Sequence, residues 1–133
     1  MAKIEKKIRK ILEALGREDS EVSVIFSNDA CIRKLNKEFR NIDAPTDVLS
    51  FSQNEGEFSF VHSGLLGDVV ISAEWANREA MKAGRSKIRE IDFLLIHGIL
   101  HLLGFDHEKS DKERAIMKQR EEEIFALLET PET

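Results

Sequence analysis

The sequence predicts an α+β fold: a small mixed β-sheet of about four strands covered by about five helices, with a histidine-bearing helix buried at the centre. Three observations lead there. Segments of helical and of strand periodicity are mixed along the chain without the regular βαβ alternation of a doubly wound protein. Residues 87–103 are apolar on nearly all sides, a pattern that belongs to a buried helix. The 133 residues, 41% hydrophobic and 34% charged, have the composition of a soluble globular protein and the length of one domain over 1–133.

The elements follow in order. Ile4, Ile8, Ile11, Leu12 and Leu15 recur at helical spacing, which predicts an amphipathic helix over 2–15 stopped by Gly16. Val22, Val24 and Phe26 alternate with Ser23, Ile25 and Ser27 in a strand. Residues 27–29 cap a second helix carrying Ile32, Leu35 and Phe39. Pro45 fixes a turn over 43–46, and 47–52 is a short strand. Phe58 to Phe60 reads as an edge strand, and 66–72 carries the strongest strand pattern. Residues 73–83 form an Ala-rich helix ending at Gly84. Ser86 caps the helix 87–103. Ser110 and Glu113 open a last, charged helix over 111–128 with a capping-box pair.

Composition excludes several function classes. Cys31 is the only cysteine, so no internal disulfide forms, and its apolar neighbours make it a small core residue. The amino-terminal segment is charged throughout and has no secretory apolar block. The longest uncharged run, Phe93 to Phe105, is thirteen residues, short of the roughly 20 that span a bilayer. No membrane partner and a cytoplasmic location are expected. The net charge of −5 argues mildly against nucleic acid, but the distribution is uneven. Residues 1–40 hold ten Lys/Arg against seven Asp/Glu. Lys3, Lys6, Lys7, Lys10, Arg33, Lys34, Lys37 and Arg40 form either one basic face or ordinary solvated helix surface.

Three of the four histidines fall in one eleven-residue stretch, His97 to His107. His97 and His101 are one helical turn apart and leave the same face. Gly104 supplies the left-handed residue that ends the helix, and His107 returns to the same point. Three imidazoles around one open position is an arrangement for one catalytic Zn2+, although imidazole also suits nickel, copper and iron. His62 lies outside the cluster and reads as a surface residue. The spacing His-x3-His-x2-Gly-x2-His is that of the metzincin peptidases. Their general-base glutamate follows the first histidine, and Gly98 stands there instead. The ligand frame is kept and the peptidase base is missing, which leaves a metal acting on water or on another oxygen, such as a phosphoryl oxygen.

A second constellation runs from Leu35 to Phe51, with Asn36, Arg40, Asp43, Thr46, Asp47 and Ser50 around the Pro45 turn. Arg40 suits a phosphate, because guanidinium pairs with two oxygens and always stays charged. The competing reading is a salt bridge to Asp43 or Asp47. The polar residues around it either serve the site or close the turn. Asp47, Asp68 and Asp106 are equivalent candidates for a base, and Asp68, Asp106 or a backbone carbonyl could equally accept the second ring N–H of a liganding histidine.

Together these segments resemble the bacterial YbeY family of endoribonucleases, the rRNA maturation factors. The matching blocks are Leu35–Asn36 through Phe39–Arg40, Pro45 to Phe51, Leu66 to Ser72, and His97 to His107. Two positions depart: Phe105 stands where the family usually has tyrosine, and Ser52 where it usually has proline. The resemblance implies a zinc-dependent, single-strand-specific endoribonuclease. It implies a role in maturation of the small-subunit ribosomal RNA 3′ end and in ribosome quality control, with ribosomal RNA and the ribosome or its proteins as partners. On the same basis His97, His101 and His107 hold the metal, and Arg40 is the functionally important arginine. The alternatives from other classes are a metallopeptidase-like hydrolase and a non-catalytic, zinc-containing ribosome-assembly factor.

Overall fold

In the computed structural model, which describes residues 2–52, 65–105 and 110–129, the chain begins with α1 (Ala2–Ala14), β1 (Glu21–Ser27) and α2 (Asp29–Arg40). It continues through β2 (Val48–Ser52), β3 (Leu65–Ser72), α3 (Ala73–Ala83), α4 (Lys87–Leu102) and α5 (Asp111–Glu129). The architecture is α+β, with five helices and a three-stranded mixed sheet among the described residues. The expected fourth strand, Phe58 to Phe60, lies outside the described residues, as do His62, Asp106 and His107.

Helix starts follow the capping chemistry of short polar side chains. The Asn28 side chain accepts from the Cys31 N–H at 2.9 Å, Ser72 from Trp75 at 3.2 Å, Ser86 from Arg89 at 3.2 Å and Ser110 from Glu113 at 3.1 Å. The end of α4 is set by Gly104, whose φ of +94° lets Phe105 N–H reach back to the Leu100 carbonyl at 3.1 Å. Among the described residues no helix is long and apolar enough to cross a membrane.

The strand order is β1-β3-β2, with β1 parallel and β2 antiparallel to β3. The middle strand is covered on both faces, which explains its consecutive apolar residues Val69, Val70 and Ile71. Val69 and Ile71 join the main core with α1, α4 and α5, whereas Val70 packs with Ile32 and Leu49 on the α2 side. Leu95, Ile96, Ile99 and Leu100 of α4 are fully buried. Each such side chain contributes about 1.5–3 kcal/mol of burial. That core fixes α4 against the sheet.

One expectation is corrected, and one open alternative is decided. Cys31 is exposed. It sits one residue, or about 100° around the helix, from Ile32, the buried centre of the α2 stripe. The basic residues of 1–40 do not form one face, because α1 packs on the α4–α5 side and α2 covers the other face of the sheet. Some are also paired: Lys7 binds Asp92 of α4 at 2.8 Å, and Arg33 binds Asp43 at 2.8 Å. The Asp92 side chain is only 3% exposed, and burial pushes its carboxyl above the ordinary value against the opposing pull of Lys7.

Where β1 and β3 end, Asp29 ties α2 to α3. Its carboxylate accepts from the buried Ser72 hydroxyl at 2.7 Å and pairs with Arg78 at 2.7 Å. Arg78, then Ser72, holds the carboxyl below its ordinary value of 3.8. An acid depressed in this way stabilises the fold above its unfolded value, and that contribution is lost as pH falls through the folded value. In urea titrations Asp29→Asn should be less stable than wild type near neutral pH, with the gap closing as the pH drops below 3.8. A gap independent of pH would contradict this role.

Candidate metal and phosphate site

The last two turns of α4 carry His97 and His101. Their Nε2 atoms lie 3.1 Å apart and their ring centroids 4.6 Å apart at 66°. The Nδ1 of His97 lies 3.3 Å from Oε2 of Glu121 on α5. A carboxylate only accepts, so the proton of that contact sits on Nδ1, which leaves Nε2 as the ring atom able to offer a lone pair to a metal. This is how a liganding histidine is oriented in metal proteins. Two nitrogens each about 2.0–2.1 Å from a tetrahedral zinc stand about 3.3 Å apart, so the donor pair fits such an ion. Among the described residues no third ligating side chain completes a group.

Glu121 was not singled out by sequence reasoning, yet a signal was present. Met117, Ile124 and Leu128 lie on the core side of α5, and Glu121 stands between them at i+4 from Met117. A carboxylate on an apolar stripe needs a partner, and His97 is that partner.

A groove of about 400 Å³ opens beside the histidines, lined by Phe39, Arg40, Ser50, Phe51, Ser52, His101 and Leu102. It runs along β2, which is an edge strand among the described residues. Arg40 thus shares one cavity with His101, and its Nη2 donates to the Ser50 carbonyl at 3.3 Å. Among the described residues Arg40 forms no ion pair: Asp43 is taken by Arg33, and Asp47 is turned into its own loop. The Asp47 carboxylate accepts from the Val48 N–H at 2.7 Å and from the Thr46 hydroxyl at 3.2 Å. Asn36 is buried and donates to the Ala44 carbonyl at 2.9 Å. The polar residues around Arg40 therefore shape the turn, and Arg40 itself faces the groove.

Asp68 lies directly opposite Phe51 in the sheet and shares its parity with Val70, on the α2 side. Val69, one residue on, faces α4. The sheet thus separates the Asp68 side chain from the α4 face. Ser50 faces α4 and donates to the Gly98 carbonyl at 2.9 Å, which ties the Arg40 wall of the groove to the histidine helix.

Gly98 has a steric reason to be glycine. A Cβ there would meet Val69 Cγ1 at 2.6 Å and Ser50 Oγ at 3.3 Å. The position that holds the general base in metzincins is pressed against the sheet and has no room for a side chain.

Comparison with known proteins gives first the class and then the family. A family model described as endoribonuclease YbeY matches residues 1–129, which places the chain among endoribonuclease-type hydrolases. A protein named endoribonuclease YbeY from Geobacter metallireducens is 48% identical over 128 residues, covering 96% of this chain and 85% of that protein. Its namesake from Syntrophus aciditrophicus is 40% identical over 129 residues, covering 96% and 81%. The solution structure of TM1509 from Thermotoga maritima has a TM-score of 0.67 at 27% identity, covering 96% of this chain and 81% of that one. The chain belongs to the YbeY family.

Gly98→Glu, which writes in the peptidase residue, should produce a protein that unfolds at lower temperature than wild type and does not cut casein. Gly98→Ala should lose about 1–3 kcal/mol from overpacking, part of it recovered by adding Val69→Ala. A well-folded Gly98→Glu protein with peptidase activity would overturn this account of the position.

Proposed function

We propose that this protein is a metal-dependent endoribonuclease that cuts single-stranded RNA. In this reading His97, His101 and His107 hold one Zn2+ and Arg40 binds the scissile phosphate. The observation that carries it is the convergence of the two Nε2 atoms at 3.1 Å on a helix face that shares a groove with Arg40. Membership of a family described as endoribonucleases supports the choice of RNA.

The residues divide the work. Glu121 keeps a proton on His97 Nδ1 and so directs the Nε2 lone pair toward the shared point. Arg40 has five N–H donors in a fixed fork, and only one is directed at Ser50. The others can pair with non-bridging phosphate oxygens and stabilise the charge that gathers on phosphorus in the transition state. When bound, the ion supplies Lewis-acid chemistry, polarising a phosphoryl oxygen and lowering the pKa of water toward ~7. The groove is the size of a small-ligand site, which suits an unpaired nucleotide rather than a duplex. Lys37 and Arg40 in the last turn of α2 give it local positive charge despite the net −5 of the chain.

The finer role extends this reading to maturation of the small-subunit ribosomal RNA 3′ end and ribosome quality control in the cytoplasm, with the ribosome as partner. It rests on the family resemblance. The peptidase alternative is weakened by the lack of space at Gly98.

Highly purified His101→Ala should lose both bound zinc and cleavage of an rRNA fragment. Arg40→Lys should keep its zinc and lose about 10²-fold in kcat. Glu121→Gln should bind zinc about 10–100-fold more weakly in a chelator competition. Wild-type cleavage rates from His101→Ala, or from chelated wild type, would refute the proposal.

A further inference from the structure

Phe39 is 60% exposed, although it continues the stripe that α2 buries against the sheet at Ile32 and Asn36. The stripe overruns the described sheet: Ile32 is covered by Leu49 and Val70, while Phe39 lies over β2, the outermost strand among the described residues. Its ring meets Phe51 edge-on, with centroids 5.3 Å apart at 66°. Both rings line the groove that holds Arg40 and His101. A single exposed apolar residue on a surface is unexceptional. This one is supported by a second ring and lies beside an arginine at the lip of a groove that reaches His101.

We propose that Phe39, braced by Phe51, is a stacking platform for one nucleobase of the bound strand, a binding residue placed next to the phosphate-binding Arg40. The inference rests on the endoribonuclease reading and names how the substrate is held. A single strand presents an anionic phosphate and a flat π-face in each nucleotide. Proteins that hold such strands combine a cation for the first with an aromatic ring for the second. Phe39 and Arg40 are consecutive on α2, about 100° apart around the helix, so cation and ring enter the groove side by side. A duplex keeps its bases stacked on one another and cannot use the ledge, so the platform also supplies a reason for single-strand preference. Stacking on phenylalanine does not read base edges, so the position should favour unpaired bases with little regard to sequence.

The test is steady-state cleavage of a single-stranded RNA oligonucleotide by wild type, Phe39→Leu and Phe39→Tyr. It is repeated at fixed salt with one abasic residue moved through the strand. Leucine keeps the apolar contact with Phe51 and removes the ring; tyrosine keeps the ring. Phe39→Leu should raise KM roughly five- to tenfold, the scale of losing one stacked base, with kcat and melting temperature near wild type. Phe39→Tyr should match wild type. One abasic position should raise the wild-type KM by a similar factor and leave that of Phe39→Leu unchanged. Equal KM values for wild type and Phe39→Leu, or the same abasic penalty in both, would overturn the platform while the nuclease reading stands. A wild-type protein that cuts no RNA would overturn that reading, and the platform with it.

Discussion

Helix α4 lies so close to the sheet that Gly98 touches Val69 with no side chain between them, and the Ser50 hydroxyl closes the gap with a hydrogen bond to the Gly98 carbonyl. The rest of the site depends on this contact. Ser50 also offers its own carbonyl to Arg40, so one residue of β2 links the histidine helix to the arginine of α2. A wider spacing between helix and sheet would move His101 and Arg40 apart and open the groove they share. The fully buried side chains of α4 press the helix down, and Gly98 lets it arrive.

The same economy of placement governs the polar residues. In the segment from Asn36 to Ser50, Asn36, Asp43, Thr46 and Asp47 each bond within the loop or to its flanking helix. They build a rigid turn whose product is the position of Arg40. On the other side Glu121 reaches from α5 to His97, so three separate helices contribute to one small region. The three helices are far apart in sequence: α2 and α4 meet on the sheet, and α5 packs on α4.

Much of this was legible in the chain. Among the described residues element positions agreed to within one or two residues, because apolar periodicity and short polar caps are local signals. Gly104 announced the bend after α4 for the same reason. What was misread, missed or left open shares one cause, which is that it needed tertiary information. The lysines of α1 and the basic residues of α2 are close in sequence and lie on opposite faces of the sheet. Cys31 has apolar neighbours and still points outward, because burial follows angle around a helix and not proximity along it. Glu121 was missed among three consecutive glutamates, although its place on the stripe of Met117 and Ile124 distinguished it. Asp47 and Asp68 were indistinguishable as candidate bases until the register put one into a loop and the other on the far face.

The account stands on His97 and His101 acting through their Nε2 atoms on a common ion. Anomalous diffraction from crystals of the zinc-loaded protein, recorded at the zinc edge, tests this most directly. The expected result is a single strong peak within bonding distance of both Nε2 atoms and of His107, with Glu121 still on His97 Nδ1. A zinc peak elsewhere on the protein, or zinc-saturated crystals in which the two imidazoles merely hydrogen-bond to each other, would contradict it.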